Sequence, residues 1–174
     1  MNDLLTNVTA VLATAPARWI ALAEALPADL LARRPAPGEW SAIECLQHVI
    51  ATERGVMPLR VRAFLAGQDF PGFDPDAPGS QPDVTQTAAS LAQQFARLRA
   101  ESLAVLATVH PADLARRVRH QELGPVTLDE MLNEWAAHDL MHIVQAEQAL
   151  MQPFIPNSGP WRPGFASHEA KGQK

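Results

Sequence analysis

Two tetrads fix where two long helices begin, and each of those helices carries histidine on its inward side. In Ser41-x-x-Glu44 and in Thr127-x-x-Glu130, hydroxyl and carboxylate each satisfy an amide that the first helical turn leaves without a partner. The helix opened at Ser41 extends to about Ala66; the one opened at Thr127 ends near Met151, before Pro153. Two further stretches have helical periodicity. One runs from about Asp3 to Ala25, with Leu4, Val8, Val11, Leu12, Trp19 and Leu22 near helical spacing. Pro16 is expected to kink it, because proline removes an i→i−4 bond. The other runs from about Val84 to Val109 and offers Leu91, Phe95, Leu98, Leu103 and Leu106 to a core.

Four such helices, separated by proline-rich connections, predict an all-α fold, a four-helix up-down bundle. Pro27 to Gly38 reads as a connection, and Gly67 to Asp83 as a long loop rich in Gly, Pro and Asp that contains Phe70 and Phe73. A loop of that length in a compact domain is often a lid or binding element, although slack also accounts for it. Pro111 to Pro125 reads as irregular, or as carrying a short turn. The bundle is expected to span residues 1–152. Residues 153–174 read as an extended, proline-rich C-terminal tail, packed on the bundle or frayed from it.

Bulk composition narrows the function classes. The 174 residues suffice for one domain that buries roughly 70% of its unfolded surface. The single cysteine, Cys45, excludes an intrachain disulfide and fits a reducing, cytoplasmic setting. No apolar run approaches the ~20 residues of a membrane span, and no basic start leads into an apolar stretch, so neither membrane nor export is expected. With 14 basic against 19 acidic residues and a net charge of −5, phosphate-backbone binding has little support, and no nucleic-acid partner is expected.

The chemistry concentrates on histidines. His138 and His142 stand at i, i+4 and share a broad face with Leu128, Met131, Leu132, Trp135, Ala146 and Leu150. Two bare imidazoles on a buried face are costly unless partnered. One metal ion taking a lone pair from each removes that cost. His48 lies between Cys45 and Thr52 on the stripe of its own helix that can face the last one. A lone buried histidine is most often an ordinary core residue, and spacing alone does not join His48 to the pair.

The run Glu39-Trp40-Ser41-x-x-Glu44-x-x-x-His48, followed by Trp135-x-x-His138-Asp139-x-x-His142-x-x-Gln145, resembles the DinB-like superfamily over roughly residues 5 to 150. The resemblance implies a four-helix bundle in which three histidines hold one divalent metal, one from the second helix and two from the last. Carried over, the metal ligands are His48, His138 and His142, with zinc, nickel, iron or manganese all chemically suited. Gln145 and Asp139 are the candidates for supporting those ligands. The resemblance also implies a metal-dependent enzyme of thiol S-transferase type, in which a low-molecular-weight thiol attacks an electrophile. A metal-dependent hydrolase and a non-catalytic, stress-associated metal- or ligand-binding bundle are the alternatives. A small-molecule substrate is the expected partner. Bundles of this kind often pair through a helix face, so a homodimer is also expected.

Other residues read more plainly. Glu44 and Glu134 stand at x-x-x spacing from His48 and His138, not the Glu-x-x-His of a di-iron bundle, which favours a mononuclear site. Glu134 reads as a solvated edge and Glu53 as a surface residue. Cys45 reads as buried and inert. Trp40 and Trp135 read as core, and Trp161 and Arg162 as packing rather than a cover over a metal cleft. His110, His120 and His168 are assigned no specific role.

Overall fold

The computed structural model describes residues 4–73 and 85–170. Helix α1 (Leu4–Ala25) runs on through Pro16 and is followed by a single turn and a half, α2 (Ala28–Ala32). The helix expected from Ser41 to Ala66 is instead two, α3 (Ala42–Gly55) and α4 (Met57–Ala66). The break falls on Val56, at φ −129° and ψ −70°. Gly55 weakens the helix there, and Pro58 has no N–H to give to the carbonyl one turn back. Val56 serves both halves: its N–H donates to the Thr52 carbonyl (2.9 Å) and its own carbonyl accepts from Arg60 (2.9 Å). Gly67, at φ +65°, then ends α4 in the left-handed conformation that a side chain would resist.

Asp74 to Asp83, the greater part of the expected 67–83 loop, lie outside the described residues, as does Val84. Helix α5 (Ala88–Leu106) opens at Thr87, whose hydroxyl accepts from the Ser90 amide. The stretch expected to be irregular carries a 3-10 turn (Pro111–Asp113) and a β-hairpin, β1 (Arg117–His120) against β2 (Gly124–Thr127). The strands pair antiparallel with Val118 opposite Val126, and Gly124 takes φ +80° where the turn re-enters the strand. Phe70 ties the hairpin to the end of α4: its N–H donates to Arg119 and its carbonyl accepts from Gln121, both at 3.2 Å. The last helix, α6 (Leu128–Met151), starts at the Thr127 capping box as expected. The tail differs from the extended segment its prolines suggest. It winds through two 3-10 stretches, Ile155–Asn157 and Gly159–Phe165; Pro156 and Pro160 sit in their first turns, where no donor is needed, and Pro163 lies inside the second.

The four-helix bundle is built from α1, α3 with α4, α5 and α6. Helix α1 packs along α5 and α6, and α3 also packs along α5 and α6. The first and second long helices, α1 and α3, therefore lie across one diagonal of the bundle, and α5 and α6 lie across the other, while α3 and α5 are side by side. Long connections permit this, since only short loops force sequence neighbours to be packing neighbours. Among the described residues no helix is long and apolar enough to cross a membrane.

The interior divides into two apolar clusters. One gathers Leu12, Val61, Phe64, Leu128, Leu132 and Trp135 near the hairpin; the other gathers Trp19, Leu46, Val49, Phe95, Ile143 and Ala146 at the opposite end. Full burial of each large apolar side chain contributes roughly 1.5–3 kcal/mol. At the seam lies a charged group, the Arg99 guanidinium, 4.7 Å from the Phe95 ring centroid and 5.8 Å from that of Trp135.

Candidate metal centre

Helix α3 presents His48 and helix α6 presents His138 and His142, and the bundle brings the three rings together. The Nε2 atom of His138 stands 3.2 Å from Nε2 of His48 and 3.2 Å from Nε2 of His142. One ligand nitrogen from each residue falls within 4.8 Å of the others, the sole such grouping of histidine, cysteine and carboxylate among the described residues. His142 is buried, and His48 and His138 are half-buried.

The arrangement suits lone pairs pointed at a common centre. The Nδ1–H of His142 donates to Oε1 of Gln145 (2.9 Å), which leaves its Nε2 unprotonated and facing His138. Whichever tautomers His48 and His138 adopt, one proton on His138 Nε2 cannot be well directed at both neighbours. Two donors 3.2 Å apart are what bonds of about 2.1 Å would span at an angle of roughly 100°, between octahedral and tetrahedral values. Charge points the same way. Burial, and then the neighbouring His142, push the His48 pKa down to about 4. Burial, followed by His142, His48, Arg60 and Arg99, pushes His138 down to about 3. Burial also lowers His142, with the Gln145 bond and the Asp139 charge opposing it. Neutral imidazoles are the metal-binding form, so the residues present fit a divalent cation.

Aromatic rings fix the cluster from outside. Trp40, immediately before the Ser41 cap of α3, stacks on His142 (centroids 5.8 Å, planes 19° apart) and leans on His48 at 4.9 Å. Phe73 meets His48 edge-on at 5.9 Å. Trp40 is thus part of the site and not plain core, whereas Trp135 is fully buried. Beside Trp40 and His142 opens a cleft of about 750 Å³, walled also by Leu140, Met141, Val144 and Gln145.

The remaining candidates separate. Gln145 contacts a site histidine, as above. Asp139 turns away from the rings to Arg99 (2.7 Å), so its contribution is not a bond to a ligand. Glu53, expected on the surface, is 2% exposed and also pairs with Arg99 (2.7 Å). Arg99 was visible in the sequence as the charged member of the stripe Leu91, Phe95, Arg99, Ser102, Leu106, a position that burial makes untenable without acidic partners. Cys45 is fully buried, and burial, helped by the Glu44 charge, pushes its thiol up to about 12, so it is no nucleophile. His120 does have a role, a structural one. Buried in the hairpin, it accepts on Nδ1 from the amides of Glu122 and Leu123 and closes the turn. Trp161 does not pack; it is 76% exposed, and Arg162 pairs with Glu169. Glu134 is on the open side of α6, one turn before His138. Desolvation raises its carboxyl pKa against the pull of Arg60.

The family model of the DinB superfamily matches residues 12–146. Among solved structures, YfiT from Bacillus subtilis superposes with a TM-score of 0.71, covering 88% of this chain and 89% of its own at 16% identity. That protein is described as a probable metal-dependent hydrolase with an unusual four-helix bundle topology. The likeness is one of fold. No curated protein matches the chain in sequence.

Proposed function

The chain belongs to the DinB superfamily, and on that premise we propose that it is a metal-dependent enzyme that activates a low-molecular-weight thiol for attack on a small electrophile. The observation that carries this reading is the convergence of His48, His138 and His142, whose Nε2 atoms approach to 3.2 Å with neutral rings. These three residues would hold one divalent ion, with zinc, nickel, iron and manganese all compatible with a three-nitrogen set. When bound, such an ion supplies a Lewis acid that lowers the pKa of a thiol or water at a position the histidines leave open.

The chain's own groups supply the rest. Gln145 fixes the tautomer of His142 so that its lone pair faces inward. Trp40 shields two of the rings from water and forms one wall of the cleft, whose Leu140, Met141 and Val144 suit an electrophile with an apolar portion. In the reaction the thiol gives up its proton, its sulfur forms a bond to the electrophilic carbon, and the leaving group departs with its electron pair. A homodimer in the cytoplasm remains part of this reading.

Glu134 favours a second version, hydrolysis. An i, i+4 spacing sets it on the same face as His138, and its raised pKa suits a carboxylate that takes a proton from water.

Metal analysis of untagged protein, followed by a thiol screen on the cobalt-substituted form, tests the proposal. We expect stoichiometric metal and a cobalt spectrum that shifts on adding cysteine or another small thiol. A metal-loaded protein whose spectrum ignores every thiol defeats the transferase version and leaves the hydrolase. A chain that holds no metal, and whose His138→Ala variant changes only stability, is a non-catalytic bundle.

A further inference from the structure

The buried charges at the seam of the core do not balance. The Arg99 side chain is 1% exposed, as is that of Glu53, and that of Asp139 is 3% exposed. Its hydrogen bonding is complete. Nε donates to Glu53 Oε1 (2.7 Å), and Nη2 to Glu53 Oε2 (3.1 Å) and Asp139 Oδ1 (2.7 Å). Nη1 donates to Asp139 Oδ2 (3.2 Å) and to the Leu12 carbonyl (2.8 Å). Every N–H of the guanidinium is used, and the bonds reach α1, α3 and α6 from α5. Yet two carboxylates face one guanidinium, which leaves a surplus negative charge in the interior, where an uncompensated charge is expensive.

Its surroundings show where compensation is to be found. Asp139 follows His138 directly and precedes His142 by three residues on α6; Glu53 lies five residues past His48 on α3. Three neutral imidazoles give a divalent cation no negative charge of their own. Among the described residues, no carboxylate joins them as a ligand.

Resting on the metal reading above, we propose that Glu53, Arg99 and Asp139 form the positioning and charge-balancing support of the metal centre. The guanidinium clamps α3 to α6 at the separation that brings His48 to His138 and His142. The surplus negative charge stabilises the cation that the neutral rings hold. These are positioning residues; none touches the ion.

The test is zinc affinity by competition with a chromogenic chelator, on the full chain, at a temperature where circular dichroism shows each variant folded. Asp139→Asn and Glu53→Gln keep size and much of the hydrogen bonding but each remove one negative charge. Both are expected to weaken zinc binding by about ten- to a hundredfold relative to the native chain. Asp139→Glu, which keeps the charge, is expected to recover most of that loss. Unchanged zinc affinity in both amide variants overturns the proposal and leaves a purely mechanical clasp, with the metal reading intact. If one amide variant does not fold, the other decides. A native chain that binds no zinc, nickel, iron or manganese overturns the metal reading and this inference together.

Discussion

Two buried polar clusters lie in one bundle and are finished in opposite ways. Around Arg99 every donor meets an acceptor, at 2.7 to 3.2 Å, within the chain itself. Around His138 the nitrogens meet other nitrogens at 3.2 Å, and one well-made hydrogen bond, His142 to Gln145, holds the periphery. Buried polar groups are normally satisfied because leaving one unpaired costs about 1–3 kcal/mol. The first cluster obeys that rule with fixed donors and acceptors; in the second, nitrogens share contacts whose protons depend on tautomer, an arrangement that a divalent cation would complete. Internal completeness marks a device for holding helices, and directed incompleteness marks a device for holding a ligand.

That contrast breaks most visibly at Arg99. Arg99→Ala strands two carboxylates in the interior, and removal of one partner from a buried ion cluster costs about 3–5 kcal/mol. Urea denaturation should show that loss. A cost within about 1 kcal/mol would mean that the clasp is not the completed cluster it looks to be.

Acid sharpens the contrast from the other side. The folded pKa values of His48 and His138, about 4 and about 3, lie below the ordinary value near 6.5. The unfolded chain therefore binds more protons in that interval, and stability from the neutral rings is complete above pH 6.5. It is lost as pH falls from there toward 4 and 3. Melting temperature of the metal-free protein should fall through this window. His48→Gln should flatten the fall, whereas a profile as steep as the native one would show that the rings are not the titrating groups. Metal affinity of the folded chain should hold until pH approaches 4 and decline below it, as protons compete for the nitrogens.

The smallest effect belongs to Gln145. Gln145→Ala frees the Nδ1–H of His142, with an expected loss of about ten- to a hundredfold in metal affinity and little change in melting temperature. Equal affinity in variant and native protein would place Gln145 at the edge of the site and not in its support.

The helices at the two capping boxes were legible because a hydroxyl and a carboxylate at fixed spacing have one good use. The His138 and His142 pair was legible for the same reason, since i, i+4 on an apolar face is a geometric statement. His48 joined them in the sequence only through the family pattern, because no spacing within one helix determines what another helix brings to it. The break at Val56 was written in Gly55 and Pro58, yet apolar stripes continuing on both sides concealed it. The hairpin escaped because Pro125 and Gly124 argue against strand, and Phe70, which bonds to its edge, comes from elsewhere in the chain. Glu53 reads as a surface charge by residue type; its burial follows from Arg99 on another helix, a partner that local pattern does not supply, although the apolar stripe around Arg99 marks that residue as inward.

The diagonal placement of α1 and α3 has a consequence for how the molecule comes into being. Helix α1 rests on α5 and α6, and α3 does the same, so the first half of the chain has no finished hairpin of helices to make on its own. Most of its native neighbours arrive late, and the closure of long loops precedes the contacts that reward it. During vectorial synthesis the nascent α1 and α3 must wait for α5, and then for α6, to leave the ribosome before their apolar faces are covered. Until then His48 stands without His138 and His142, so the three-histidine grouping is among the last features of the molecule to form.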